Sequence, residues 1–196
     1  MNSPLPLHAG PSVGFDQPFE MLAACHERVE HMLRLLERLA QHLVSAGCDS
    51  QARQAAVDVM RYFDLAGPAH HEDEERHVFP ALRAGGDEAL CLLVERLHQQ
   101  HLEMAQQWAR VRADLAQVAA GVRPGPAGAG VDGRSGVDAD VDGDASNPRH
   151  WDAFARLYRE HIEAEEARAY PAARARLGEA ALPAIGREMA GHRGQR

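Results

Sequence analysis

Residues 70–84 read HHEDEERHVFPALRA, and residues 161–175 read HIEAEEARAYPAARA. Aligned at an offset of 91 they agree at 8 of 15 positions, including His70/His161, Glu74/Glu165, Glu75/Glu166 and Pro80/Pro171. Phe79/Tyr170 is a near match, and Phe63 pairs with Phe154 at the same offset. Each copy carries His-x-x-x-Glu, and residues four apart lie on one helix face, one turn apart. A fold for this chain must therefore accommodate two copies of a helix that bears an imidazole and a carboxylate on the same stripe as its aromatic core residues. Two helical hairpins related by a pseudo-twofold axis do this.

The remaining sequence agrees. From Pro18 to about Ala46, Leu22, His26, Val29, Leu33, Leu36, Ala40 and Leu43 recur at steps of three and four residues. Asp49 or Ser50 is suited to cap a second helix carrying Val59, Phe63, His70, Glu74 and Val78, which Gly67-Pro68 should kink and Gly85-Gly86 should end. A third helix spans about Asp87 to Ala120, with Leu93, Leu97, His101, Met104, Val111 and Leu115 in register. A fourth opens at Asn147-Pro148, carries Trp151, Phe154, Tyr158, His161 and Glu165, and should end near Tyr170-Pro171. A weaker segment, about Gly178 to Ala190, is interrupted by Pro183. No strand-period alternation is visible. Helices of roughly 25 residues, each about 38 Å long, suit an all-α, up-down four-helix bundle with a short C-terminal helix. The expected organisation is a flexible arm at 1–17, a bundle at 18–178 and a terminal helix and tail at 179–196. The Gly- and Asp-rich stretch 121–148 is a flexible insertion within the bundle.

Composition narrows the partners. Lys and Arg number 21 against 29 Asp and Glu, a net charge of −8, which disfavours nucleic acid and anionic membrane. No apolar run approaches the ~20 residues needed to span a bilayer. The opening MNSPLPLHAGPSVGF lacks a charged start and a long apolar stretch, so no signal peptide is expected. Three separated cysteines, Cys25, Cys48 and Cys91, fit a reduced, cytoplasmic protein. Twelve histidines against 5 Phe and 3 Tyr are an excess that calls for a reason.

The reason offered by the pattern is a metal. Helices two and four supply His70, Glu74, His161 and Glu165, and helices one and three add His26 and His101 on their apolar faces. A lone histidine on such a face is ordinarily a hydrogen-bonded core residue, and EDEE alone is ordinarily a solvated face. Here, however, unpaired carboxylates on the apolar stripe would cost several kcal/mol each. Four imidazoles and two carboxylates without a thiolate suit iron or manganese better than structural zinc. The pair His71/Glu75 repeats the spacing about 100° off the Phe63 stripe, and Ile162 is its counterpart, so His70/Glu74 is preferred. Glu74/His77 and Glu95/His98 imitate the ferritin-like signature, but Glu95 points off its helix's stripe. DADVDGD at 138–144 imitates a calcium loop, but its twelfth position is Arg149. His31 and His42 should be exposed, and Cys25 should be a buried thiol. Tyr158 is placed either to donate a hydrogen bond to the site or to pack in the core.

The segments CHERVEHMLRLLERL, HHEDEERHVFPAL, RLHQQH and HIEAEEARAYPA resemble the hemerythrin-like, or HHE cation-binding, family over about residues 18–178. That resemblance implies a four-helix bundle with a non-haem centre of two Fe ions joined by an oxo or hydroxo bridge. It implies His26 and His70 on one iron, His101 and His161 on the other, and Glu74 and Glu165 bridging. Oxygen-carrying members have a further histidine one turn before the third-helix ligand. Leu97 occupies that position here, with His98 nearby, and Glu165 stands at i+4 where the carriers have Asp at i+5. The chain thus looks like the branch with four His and two Glu, associated with iron–sulfur repair, nitric oxide or oxygen response and iron sensing. The implied partner is a small diatomic or peroxidic ligand, held among Leu22, Phe63, Leu97 and Phe154. Alternatives are a di-iron oxidase, peroxidase or nitric oxide reductase, or a metal-free helical interaction module.

Overall fold

The computed structural model describes residues 14–124 and 149–194. Helix α1 (Pro18–Ser45) leads to α2 (Ser50–Asp73), then a π-helical turn at Glu74–Val78, and α3 (Phe79–Arg83). After α4 (Glu88–Ala119) come α5 (Arg149–Ala164), a second π-turn at Glu165–Ala169, α6 (Tyr170–Leu177) and α7 (Leu182–His192). Among the described residues there are no strands. The α2–α3 and α5–α6 runs act as single long helices, so the architecture is the expected four-helix bundle with a short terminal helix. Helix α1 packs on α2 and α5, and α4 packs on α2 and α5.

Local chemistry sets the ends. Asp49 caps α2 by accepting from the Ala52 N–H at 2.8 Å. Asp87 caps α4, its Oδ1 accepting from Ala89 and Leu90. These carboxylates satisfy amides that a helix start leaves without partners. Gly178 closes α6 at φ 70°, a conformation open to glycine at little cost. The expected fourth-helix end at Tyr170-Pro171 is too early, because the chain continues helically to Leu177. Pro183 starts α7 rather than interrupting it, since a first-turn proline lacks only an N–H that has no helical acceptor. The calcium-loop imitation and the Asn147-Pro148 cap lie outside the described residues, as do 1–13 of the arm and 125–148 of the insertion. Residues 14–17 form a turn into α1, with the Gln17 N–H bonded to the Gly14 carbonyl at 3.1 Å.

The two π-turns were not legible in the periodicity. Helix α2 passes Gly67-Pro68 unbroken, and the irregularity comes later, where the Phe79 N–H bonds to the Glu74 carbonyl. Tyr170 does the same to Glu165. Both turns end two residues before the repeated proline, Pro80 or Pro171. A proline in a helix has no N–H and crowds the carbonyl four residues back, here Arg76 or Ala167. Widening the turn relieves that contact.

Two apolar clusters fill the interior, and each long helix passes from one to the other. On α1, Leu22 and Cys25 belong to one cluster and Val29 to the other. Along the α2–α3 run Phe63 gives way to Val78, and on α4 Met104 gives way to Leu97. The residue lying between in each case is a histidine of the candidate set. Leu33 is 0% exposed in this core. Leu33→Ala should cost about 2–5 kcal/mol by leaving a cavity, read as a lower midpoint in urea; a loss below 1 kcal/mol would contradict this packing.

Candidate metal centre

All six residues expected at the centre converge there. His26, His70, His101 and His161 are buried, and Glu74 and Glu165 are each 0% exposed. Their donor atoms fall into two groups. His26, His70, Glu74 and Glu165 form one, and His71, Glu74, His101 and His161 form the other. Glu74 Oε1 lies 3.2 Å from His70 Nε2, while its Oε2 lies 3.5 Å from His101 Nε2. Glu165 Oε2 lies 3.2 Å from His26 Nε2, and its Oε1 lies 3.1 Å from His161 Nε2. Each carboxylate therefore presents one oxygen to each pair of imidazoles.

Three of the four expected imidazoles are aimed by hydrogen bonds on their far sides, while His70 Nδ1 is buried without a partner. His26 Nδ1 is 2.9 Å from Glu166 Oε1, and His101 Nδ1 is 2.8 Å from Glu75 Oε1. These are equivalent residues of the repeat, each acting on the histidine of a neighbouring helix. The second glutamate of each Glu-Glu pair is thus explained: one step along a helix turns about 100°, so Glu74 and Glu165 face inward while Glu75 and Glu166 reach sideways. Gln100 Oε1 accepts from His161 Nδ1 at 3.1 Å. With Nδ1 donating to an oxygen, a neutral ring presents a lone pair at Nε2.

That assignment is a test of whether a cation fits. His101 Nε2 and His161 Nε2 stand 3.0 Å apart, and Nδ1 of each ring is already engaged. Two facing lone pairs repel unless a proton or a metal ion supplies positive charge. Both oxygens of Glu165, Oε2 of Glu74 and Nε2 of His70 are buried without a hydrogen-bond partner. Buried groups of this kind are normally satisfied. The donor set, imidazole plus carboxylate, is one that binds first-row divalent and trivalent cations.

His71 is the residue that sequence reasoning set aside. Its ring stacks on His101 with centroids 3.9 Å apart, and its buried Nε2 has no hydrogen-bond partner. The 100° rotation off the Phe63 stripe does not carry it to solvent. It faces α4 instead, in the second donor group. The signal was present: in a bundle, a helix has two neighbours, so a ring next to the inward stripe still meets a partner helix. Leu97 is fully buried in the apolar cluster, and the His98 side chain is 48% exposed, so neither supplies the further histidine. Tyr158 packs against Phe63 and Phe154. The tyrosine whose hydroxyl reaches the site is Tyr170, in contact with Glu74 Oε1 and 3.1 Å from His26 Nε2. Glu95 is exposed, as its register requires. His31 is exposed, and His42 is half-buried against Asp49, at 3.0 Å. Cys25 is buried, with Arg193 donating to its sulfur at 3.6 Å.

A helical bundle with imidazoles and carboxylates gathered in its core defines the class of cation-binding four-helix proteins. The profile of the hemerythrin HHE cation-binding domain matches residues 17–173, and the chain belongs to that family. Over 104 residues it is 29% identical to an uncharacterized protein of Haemophilus influenzae, covering 53% of this chain and 60% of the relative. The chain thus aligns with less than two thirds of that relative's length.

Burial sets the titration of the metal-free centre. It pushes the imidazoles of His70 and His161 down to about 3. Burial and the neighbouring charge of Glu74 push Glu165 up to about 8. Burial opposes protonation of His26 and His101, but Glu165 beside the first and Glu74 beside the second outweigh it and raise both. From about pH 3 to the ordinary histidine value of 6.5, the unfolded chain holds protons that His70 and His161 reject, so stability rises with pH. From 4.5 to about 8 the folded Glu165 keeps a proton the unfolded chain has lost, so its contribution falls with pH. Above 6.5, His26 and His101 act in the same downward direction. Chelator-treated protein should therefore melt at a lower temperature at pH 8 than at pH 6.5, and Glu165→Gln should reduce that difference. A wild-type melting temperature that climbs from pH 6.5 to pH 8 would contradict the burial of Glu165.

Proposed function

We propose that the chain is a non-haem di-iron protein that binds oxygen, nitric oxide or a related small ligand in a sensing, iron-handling or stress-response role. His26 and His70 hold one ion, His101 and His161 hold the other, and Glu74 and Glu165 bridge them. His71 adds an imidazole to the second position. The observation that carries this reading is the pair of buried carboxylates that each face both imidazole groups. One ion would leave one face of each carboxylate uncompensated in a core where isolated charge costs several kcal/mol.

Bound iron supplies open coordination positions and a change of oxidation state. The remaining functions belong to the protein. Glu166, Glu75 and Gln100 hold the imidazoles of His26, His101 and His161 with Nε2 turned inward, which fixes the tautomer and direction of those three rings. Leu22, Leu97, Phe63 and Phe154 are buried on either side of the polar layer, and they exclude bulk water. A dry wall favours a small neutral or singly charged ligand and slows proton delivery to it. The apolar shell also strengthens each electrostatic contact inside it.

Tag-free protein loaded anaerobically with Fe(II) and then desalted should retain two irons per chain. Retention of one iron or none would contradict the reading. Glu74→Ala should lose iron and remove the rise in melting temperature that iron confers, because an ion binding only the folded state stabilises it. Unchanged iron content in that variant would refute the bridging role.

A further inference from the structure

The repeat is broken at the centre in two places. The first copy has His71 where the second has Ile162, and the second has Tyr170 where the first has Phe79. The two aromatic rings pack alike. Phe79 stacks on His101 with centroids 5.4 Å apart at 19°, and Tyr170 stacks on His26 at 5.4 Å and 10°. What the tyrosine adds is a hydroxyl, and it points into the site rather than away from it. Its oxygen contacts Glu74 Oε1 and stands 3.1 Å from His26 Nε2. Both atoms belong to residues of the donor group formed by His26, His70, Glu74 and Glu165. Two donors on one ion, with bonds of about 2.1 Å at a right angle, are about 3 Å apart. The tyrosine oxygen already has that separation from His26 Nε2.

Resting on the di-iron reading, we propose that Tyr170 is an additional protein ligand, its phenol oxygen binding the ferric ion held by His26 and His70. The O–H bond breaks and an iron–oxygen bond forms with the oxygen's electron pair. No oxidation state changes, and the proton is released to solvent as in other exchanges of ligand protons for a metal. The two positions then differ in kind. One is rich in hard oxygen donors and suits a trivalent ion, while the other carries three imidazoles from His71, His101 and His161.

The test uses full-length protein loaded with iron and oxidised in air, with iron content measured beside visible absorption and resonance Raman spectra. The wild type should show a phenolate-to-ferric charge-transfer band with enhanced tyrosine ring modes. Tyr170→Phe should lose both while keeping its iron, and Tyr158→Phe should keep both. Phe79 already packs in the equivalent place, so phenylalanine at position 170 fits the fold. Two irons per chain with no phenolate modes in the wild type, or modes that persist in Tyr170→Phe, would overturn the Tyr170 assignment and leave the di-iron reading standing. Fewer than two irons in the wild type would overturn the reading beneath it as well.

Discussion

The bundle is organised around a layer of charge that its own interior cannot tolerate unaided. Glu74 and Glu165 are fully buried side by side, and burial together with the charge of Glu74 raises Glu165 to about 8. Like charges this close, away from water, do not both ionise without a compensating cation. The surrounding imidazoles supply part of that compensation through the protons of His26 and His101, whose affinity for them is raised. The apolar clusters above and below then keep the layer dry. Packing and site are one problem here, since all four helical runs that build the core also deliver donor side chains at the level where the clusters meet.

Pseudo-symmetry is the economical way to reach that arrangement. Two hairpins contribute equivalent His and Glu residues, equivalent π-turns and equivalent outward glutamates that steady a neighbouring helix's imidazole. Each π-turn begins at an inward carboxylate, Glu74 or Glu165, and ends shortly before the repeated proline, which crowds the carbonyl four residues back. Two of the departures from the repeat fall at the centre. His71 against Ile162, and Tyr170 against Phe79, make two otherwise related positions chemically distinct.

The sequence made the helices readable because each carries a sustained period with chemical punctuation. Asp49, Asp87 and Gly85-Gly86 mark their boundaries correctly. The six central residues were legible from register alone, since an imidazole or carboxylate on an apolar stripe has nowhere to go but inward. Three things were not. The π-turns depend on a proline's clash with a carbonyl, which shifts register locally and leaves the average period intact. His71 lies beside the inward stripe, and only the placement of α4 brings it to His101. Tyr170 read as a helix end because Pro171 follows it, yet a proline in a first helical turn is compatible with the chain continuing. In each case the missing information was the position of a neighbouring helix or a single hydrogen bond.

The proposal of a dinuclear centre is tested most directly by anomalous diffraction from crystals of the iron-loaded protein, recorded on either side of the iron absorption edge. The account predicts two iron peaks within the bundle, one beside His26 and His70 and one beside His101 and His161, with Glu74 and Glu165 touching both. A single peak in the core, or iron found only at surface carboxylates, would contradict it.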